Sequence, residues 1–263
     1  MPVLRYKGTS IRLITPSLWS FGIHLLRCKL LRPSVSLQNS LPDSLLPPLP
    51  DGLRLHVGAG QNILDGYENL DGFNNEHRPI HFQTQVKKFV RAEILDTVYQ
   101  PESVAEIRCH HMFEHISMLD VDRTLQGWNR IMKVGGLLWI VVPDFEGCAR
   151  QILKLRREED KEIFYRHIFG SQMGVGEFHC NGFTAKRLIR LVTDYGFQVK
   201  LAYVAWTRRD PRKPGMFYPS DLPLPDVTVQ AMKVRSPRPE IVNSEYTPIL
   251  YRRAYPNPDL ESS

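Results

Sequence analysis

Six consecutive apolar residues, Leu137–Val142 (LLWIVV), stand between Gly135-Gly136 and Pro143. A run this short, with no polar alternation, is what a strand buried on both faces needs, and such strands form the middle of parallel sheets. Just before it, Arg123–Met132 carries Leu125, Trp128, Ile131 and Met132 on one side at helical spacing. A helix, a glycine break and a buried strand make up one α/β crossover, which narrows the chain to an open, mainly parallel sheet.

The flanking pattern continues in that sense. Leu53–Val57, Glu68–Leu70, Lys88–Ile94 and Val104–Cys109 read as short strands, and residues 146–169 as charged helix. Thr184 caps a helix over 185–195 that stops at Gly196. Phe197–Val204 follows as a strand, and Asp226–Val234 alternates like a final edge strand. Residues 207–225, rich in Pro and Arg, read as a loop, and 236–263 as a tail without firm pattern. The domain is expected over residues 51–235. Residues 1–50 form an extension, with an amphipathic helix near 17–31 and Pro42, Pro47, Pro48 and Pro50 as punctuation.

Charge separates the two parts. Arg5, Lys7, Arg12, Arg27, Lys29 and Arg32 precede the first acid, Asp43; without those six the chain has 28 basic and 28 acidic residues. The extension reads as a solvated arm. The alternatives are an organelle transit peptide, or contact of residues 1–35 with an anionic membrane, a polyanion or an acidic partner. The neutral body carries no electrostatic footprint for nucleic acid. Cys28, Cys109, Cys148 and Cys180 show no zinc-finger or CxxC spacing, so reduced thiols and a cytoplasmic location are expected. No run of eighteen apolar residues is present, so no membrane-spanning helix is expected.

Three motifs carry chemistry. In His56–Gly60 (HVGAG), Gly58 and Gly60 allow a tight turn after a strand and close approach to a ligand. A dinucleotide fingerprint would continue to a third glycine at a helix start; Ile63 and the turn pair Asp65-Gly66 stand there instead, against a pyrophosphate cradle. Asp71 ends the second strand, where a carboxylate can accept two ribose hydroxyls or simply serve the Asp71-Gly72 turn. Arg108–Ile116 (RCHHMFEHI) gathers polar side chains at the end of the fourth strand.

The order of HVGAG, NLD, ESVAEIRCHHMFEHI, WNRIMKVGGLLWIVVPD and FHCNGFTAKRLIRLVTDYGF resembles class I S-adenosylmethionine (SAM)-dependent methyltransferases, over about residues 53–234. More narrowly it resembles predicted methyltransferases associated with surface-glycan biosynthesis, whose pattern runs LHLGCG, NVD, SHVLEH, a PGG block and FHxxxF. The resemblance implies an α/β fold, a Rossmann-like seven-stranded methyltransferase sheet with helices on both faces, and SAM as cofactor. It places Gly58 and Gly60 at the methionine part, Asp71 at the ribose and Glu93 near the adenine, with Asp96 as the alternative to Glu93. His110 and His111 fall near the amine and sulfonium. Ala59 and His56 depart from the commoner pattern, which has Cys and an acid.

The implied reaction is methyl transfer to a small-molecule or glycan acceptor, at oxygen. A base is needed only for a hydroxyl acceptor, and His111, Glu114, His115 and His179 are the candidates. No NPPY- or DPPY-like segment follows the fourth strand, against methylation of nucleic-acid amino groups. If a helix begins by residue 111, then His111, Glu114 and His115 share a face at i, i+3 and i+4. The segment resembles the ExxEH through which some class I methyltransferases bind a divalent metal, with His111 in place of the first Glu and His179 as a possible fourth ligand. The same EH pair occurs in members without metal, and none is expected. Competing functions are a non-catalytic SAM-binding or scaffold protein on this fold, and a dinucleotide or nucleotide-sugar enzyme, which the missing third glycine disfavours.

Overall fold

The computed structural model describes residues 3–6, 9–13, 48–77, 83–174, 176–207 and 222–237. Seven strands form the expected Rossmann-like sheet. In chain order they are β3 (Leu53–Val57), β4 (Glu68–Asp71), β5 (Lys88–Phe89), β6 (Val104–His110), β7 (Met132–Pro143), β8 (Phe197–Thr207) and β9 (Leu224–Lys233). They lie in the order β8-β9-β7-β6-β3-β4-β5, with β5 to β7 and β3, β4 parallel and β9 antiparallel to both its neighbours.

Two corrections concern the strands. β9 is no edge strand: it is inserted between β7 and β8, and all ten of its residues are buried. The alternation of small polar and apolar residues in DVTVQAMKV reflects two different buried faces, not one wet one. The N-terminal extension also contributes structure. β1 (Val3–Tyr6) and β2 (Thr9–Leu13) form an antiparallel pair added beside β8, which gives a nine-stranded sheet among the described residues. The helix expected near 17–31 and most of the 207–225 loop lie outside the described residues.

One sheet face is apolar and carries the main core. Leu55 and Val57 of β3, Ile107 and Cys109 of β6, Ile140 and Val142 of β7, and Val227 and Val229 of β9 pack there with helix residues. The helices are α1 (Leu95–Val98), α2 (Val121–Ile131) and α5 (Ala185–Asp194). On α2 the 3.6-residue period sets Leu125, Trp128 and Ile131 inward, all fully buried. The Trp128 indole donates to the Ala92 carbonyl at 3.0 Å, so its one polar atom is satisfied. Thr184 caps α5 by accepting from Arg187 N at 3.2 Å, and Gly196 ends it at φ +90°. The charged stretch 146–169 is two helices, α3 (Phe145–Lys154) and α4 (Glu158–Phe169), which share a small second core with Leu224.

The opposite sheet face is polar. Register sets Asn69, His56, Arg108, Trp139 and Gln230 in one row across β4, β3, β6, β7 and β9. Arg108 bonds Glu106 at 2.7 Å and lies 4.4 Å from the Trp139 ring centre and 5.0 Å from that of Tyr67. His56 bonds the Asn69 side chain at 3.0 Å, and burial lowers its pKa.

Candidate functional site

At the carboxyl ends of β3, β4 and β6 lies a cavity of about 390 Å³. Such a place, outside the strand ends of an open α/β sheet, is where ligands enter this architecture. Gly58, Gly60, Asp71 and Glu93 line it together with His111, Met112, His115 and Cys180.

The floor is the turn after β3. Gly58 and Gly60 both adopt left-handed backbone, at φ +72° and +52°, for different reasons. A side chain at Gly58 would strike Met112, whereas one at Gly60 would meet nothing within 4 Å. Asp71 ties this turn to the end of β4: Oδ2 accepts from Gly60 N at 3.0 Å, and Oδ1 from Phe73 N at 3.2 Å. Thr84 adds a hydroxyl bond to the Gly60 carbonyl. Turns, not a helix, fill the connection from Gly58 to Tyr67. Asn69 organises it, donating to the Leu64 carbonyl at 3.0 Å and the Tyr67 carbonyl at 3.1 Å and accepting from Leu64 N at 3.0 Å.

Glu93 sits on the far wall, paired with Arg91 at 2.7 Å. Asp96, its alternative in the sequence, packs instead against Gly127 of α2 and does not line the cavity. His110 also requires correction. Side chains alternate along a strand, so His110 turns to the polar sheet face. There its ring is 5.1 Å from Trp139 and 6.0 Å from His56. Burial first, then the nearby charges of His56, His111 and Arg108, lower its pKa to about 3, and its buried Nε2 has no hydrogen-bond partner.

The roof is a cluster of histidines and carboxylates. No helix begins at residue 111, so the shared helix face does not form. His111 instead adopts φ +51°, a conformation rare for a residue with a side chain and one that concentrates at functional sites. A single 3-10 turn, Phe113–His115, follows. The turn still brings the candidates together, because the Glu114 carbonyl accepts from both Cys180 N at 2.9 Å and Asn181 N at 3.0 Å. That pair of hydrogen bonds from the FHCNGF segment carries His179 to Glu114.

The Glu114 side chain is 1% exposed. Burial pushes its pKa up, but His111, His115 and His179 beside it outweigh that and hold it down at about 2. Burial lowers His179 to about 4, so its ring is neutral near pH 7. His111 is set between two carboxylates, with Nδ1 3.4 Å from Glu114 and Nε2 3.6 Å from Asp226. Asp226 is held on its other oxygen by His167 at 2.9 Å. Asp144, near Asp226, is pushed up to about 6, chiefly by burial.

His167, Asp144 and Asp226 went unread in the sequence. His167 lies in a charged helix and Asp226 at a strand start, and only the antiparallel insertion of β9 brings Asp226 to the cluster. Phe73 and Gly176, which also line the cavity, carried no motif, and Phe178 opens the FHCNGF motif without having been read as a site residue.

No family model matches the chain, and no curated protein matches it. Among solved structures, it is similar to a SAM-dependent methyltransferase from Methanosarcina mazei, at 18% identity and TM-score 0.46, over 70% of this chain and 93% of that one. A SAM-dependent methyltransferase from Archaeoglobus fulgidus is 13% identical with TM-score 0.44, over 69% and 87%. The geranyl diphosphate C-methyltransferase of Streptomyces coelicolor A3(2) is 12% identical with TM-score 0.41, over 70% and 73%. Among the described residues, no helix is long and apolar enough to cross a membrane.

Proposed function

We propose that the chain is a SAM-dependent methyltransferase that moves a methyl group to oxygen on a small-molecule or glycan acceptor. The observation that carries this reading is the cavity itself. It gathers the Gly58-Gly60 turn, the Asp71 carboxylate and Glu93, which follow three separate strands, around one space with His111 and His115. Asp71, at the end of β4 and in the cavity lining, offers the carboxylate that this reading assigns to the ribose hydroxyls. SAM has no pyrophosphate, and the helix-free turn after β3 offers no cradle for one.

SAM, when bound, supplies an activated methyl on its sulfonium, so the protein's task is alignment. Held by Gly58, Gly60, Asp71 and Glu93, SAM would supply that methyl to the acceptor oxygen and would leave as S-adenosylhomocysteine. The hydroxyl proton needs a base, and His111 is the residue that both lines the cavity and stands between two carboxylates able to stabilise an imidazolium. His179 is the weaker candidate, because it lines no cavity wall and resists protonation. The neutral body disfavours a nucleic-acid acceptor. Cys109, Cys148 and Cys180 are free thiols, in keeping with a reducing compartment.

Calorimetric titration with SAM and S-adenosylhomocysteine, with NAD as control, tests the reading. Micromolar binding of the SAM pair, weakened at least tenfold in Asp71→Ala, supports it. Folded protein that ignores both ligands, or prefers NAD, removes it.

A further inference from the structure

The two imidazoles that flank Glu114 have their N–H groups turned away from it. His115 Nδ1 lies 2.9 Å from the Phe178 carbonyl, and His179 Nδ1 lies 3.2 Å from the Ile168 carbonyl. A carbonyl only accepts, so Nδ1 carries the hydrogen in both rings. In the neutral tautomer each ring then presents a lone pair at Nε2. His179 Nε2 stands 3.9 Å from Glu114 Oε1. Both Glu114 oxygens are buried without a hydrogen-bond partner. One ligand atom from each of Glu114, His115 and His179 lies within 4.8 Å of the others. Three acceptor atoms thus converge in a largely buried place, with His111 Nδ1 also facing Glu114 Oε1 at 3.4 Å, and a cation among the three would relieve their mutual repulsion.

We propose that Glu114, His115 and His179 hold a divalent transition-metal ion, zinc by ligand type, in the roof of the cavity. Two imidazole nitrogens and a carboxylate are a borderline-soft set suited to zinc and its first-row neighbours. Ligand atoms around a tetrahedral ion with bonds of about 2.1 Å stand roughly 3.4 Å apart, so side-chain shifts of about 1 Å close the set. The backbone is already fixed for it. Cys180 N and Asn181 N both bond the Glu114 carbonyl, which locks the segment of His179 to that of Glu114 and His115. The two carbonyl bonds at Nδ1 are the outer partners that orient metal-binding histidines.

His111 stays outside the set, with its Nε2 toward Asp226. This differs from a ligand face on one helix: the ions' ligands come from a 3-10 turn and a remote loop. Three protein ligands leave a position open, and His115 lines the cavity, so that position is within reach of a water or a substrate hydroxyl. The inference stands apart from methyl transfer, since it rests on the ligand set and not on what fills the cavity.

Full-length protein stripped with a chelator is titrated with Zn²⁺ by calorimetry and with Co²⁺ by visible absorption. One equivalent binds with submicromolar Kd, and cobalt gives the intense bands of a four- or five-coordinate site. Glu114→Gln and His179→Ala each weaken zinc by about a hundredfold or more and abolish the bands. Cys180→Ser, beside the site, leaves both unchanged. If His179→Ala does not fold, His115→Ala, with its part-exposed ring, takes its place. Folded wild-type protein that binds neither ion in the micromolar range overturns the proposal. Binding lost in Cys180→Ser but kept in the Glu114 and histidine variants overturns it too. SAM titration of the same stripped protein gives a separate answer on the proposed function.

Discussion

Gly58 and Gly60 look equivalent in the sequence, but the structure gives them separable jobs, and alanine tells them apart. A Cβ at Gly58 would stand 2.2 Å from Met112 Cγ and 2.4 Å from Met112 Cβ, at φ +72°. The Met112 Cβ is fixed to backbone between β6 and the Glu114 turn, so it cannot swing aside as a side-chain tip would. Left-handed backbone costs an alanine about 1–2 kcal/mol, and the overlap adds about 1–3 kcal/mol. At Gly60 only the first cost applies, because a Cβ there meets nothing within 4 Å. Gly58→Ala should therefore lose about 2–5 kcal/mol and Gly60→Ala about 1–2 kcal/mol. At roughly 2–4 °C per kcal/mol, the two melting points should fall by roughly 10 °C and by a few degrees. SAM titration should show the reverse order of interest: Gly60→Ala stays folded but binds SAM more weakly, since its new methyl projects into open space at the cavity. Equal melting points for the two variants would refute the steric argument, and unchanged SAM affinity in Gly60→Ala would refute close approach of the cofactor to this turn.

Three further outcomes are expected. His111→Ala should lower kcat strongly while SAM affinity, read by calorimetry, is retained; loss of both together would make His111 a structural residue. Asn69→Ala removes partners from His56, Leu64 and Tyr67 and should cost about 2–4 kcal/mol, with faster amide exchange across residues 61–67. His110 has a folded-state pKa of about 3, below its ordinary 6.5. The unfolded chain therefore takes up a proton that the folded one refuses, and stability falls as pH drops from about 6.5 toward 3, by up to about 1.4 kcal/mol per pH unit. His110→Phe keeps the ring against Trp139 without that uptake, so its melting point should gain on wild type at about pH 5 but not at about pH 8; a gain equal at both would rule out the linkage.

The sheet was legible because its signals are local. LLWIVV between glycine and proline, the spacing of Leu125, Trp128 and Ile131, and the Thr184 cap each depend on a few adjacent residues. What failed depended on partners distant in the chain. β9 reads as an edge strand, since nothing within DVTVQAMKV says that β7 and β8 will lie on its two sides. His110 and His111 look like a pair, yet alternation along β6 and the positive φ at His111 send them to opposite sides. The cluster around Glu114 was half legible. Glu114, His115 and His179 stand in recognisable motifs, but the helix that spacing suggested is replaced by one 3-10 turn. The convergence comes from backbone bonds between Glu114 and residues 180 and 181. His167 and Asp226 had no motif at all.

The connection after β3 links the fold to the chemistry. In sheets of this kind a helix following the first strand offers its positive N-terminus to an anionic ligand. Here residues 58–67 make turns, and the polar bonds of Asn69 do the work of holding them. His56 supports Asn69 from the neighbouring strand, which gives this buried histidine a polar partner. Asp71 and Glu93 bring carboxylates to the cavity, and Arg91 pairs with the second of them at 2.7 Å. The turn after β3 adds no helix N-terminus that could hold a phosphate. On the proposed reading this backbone shape suits SAM, which has no phosphate, better than a dinucleotide, which brings two. Restoring a phosphate site would take a helix at residues 61–67, which the Asn69 bonds prevent.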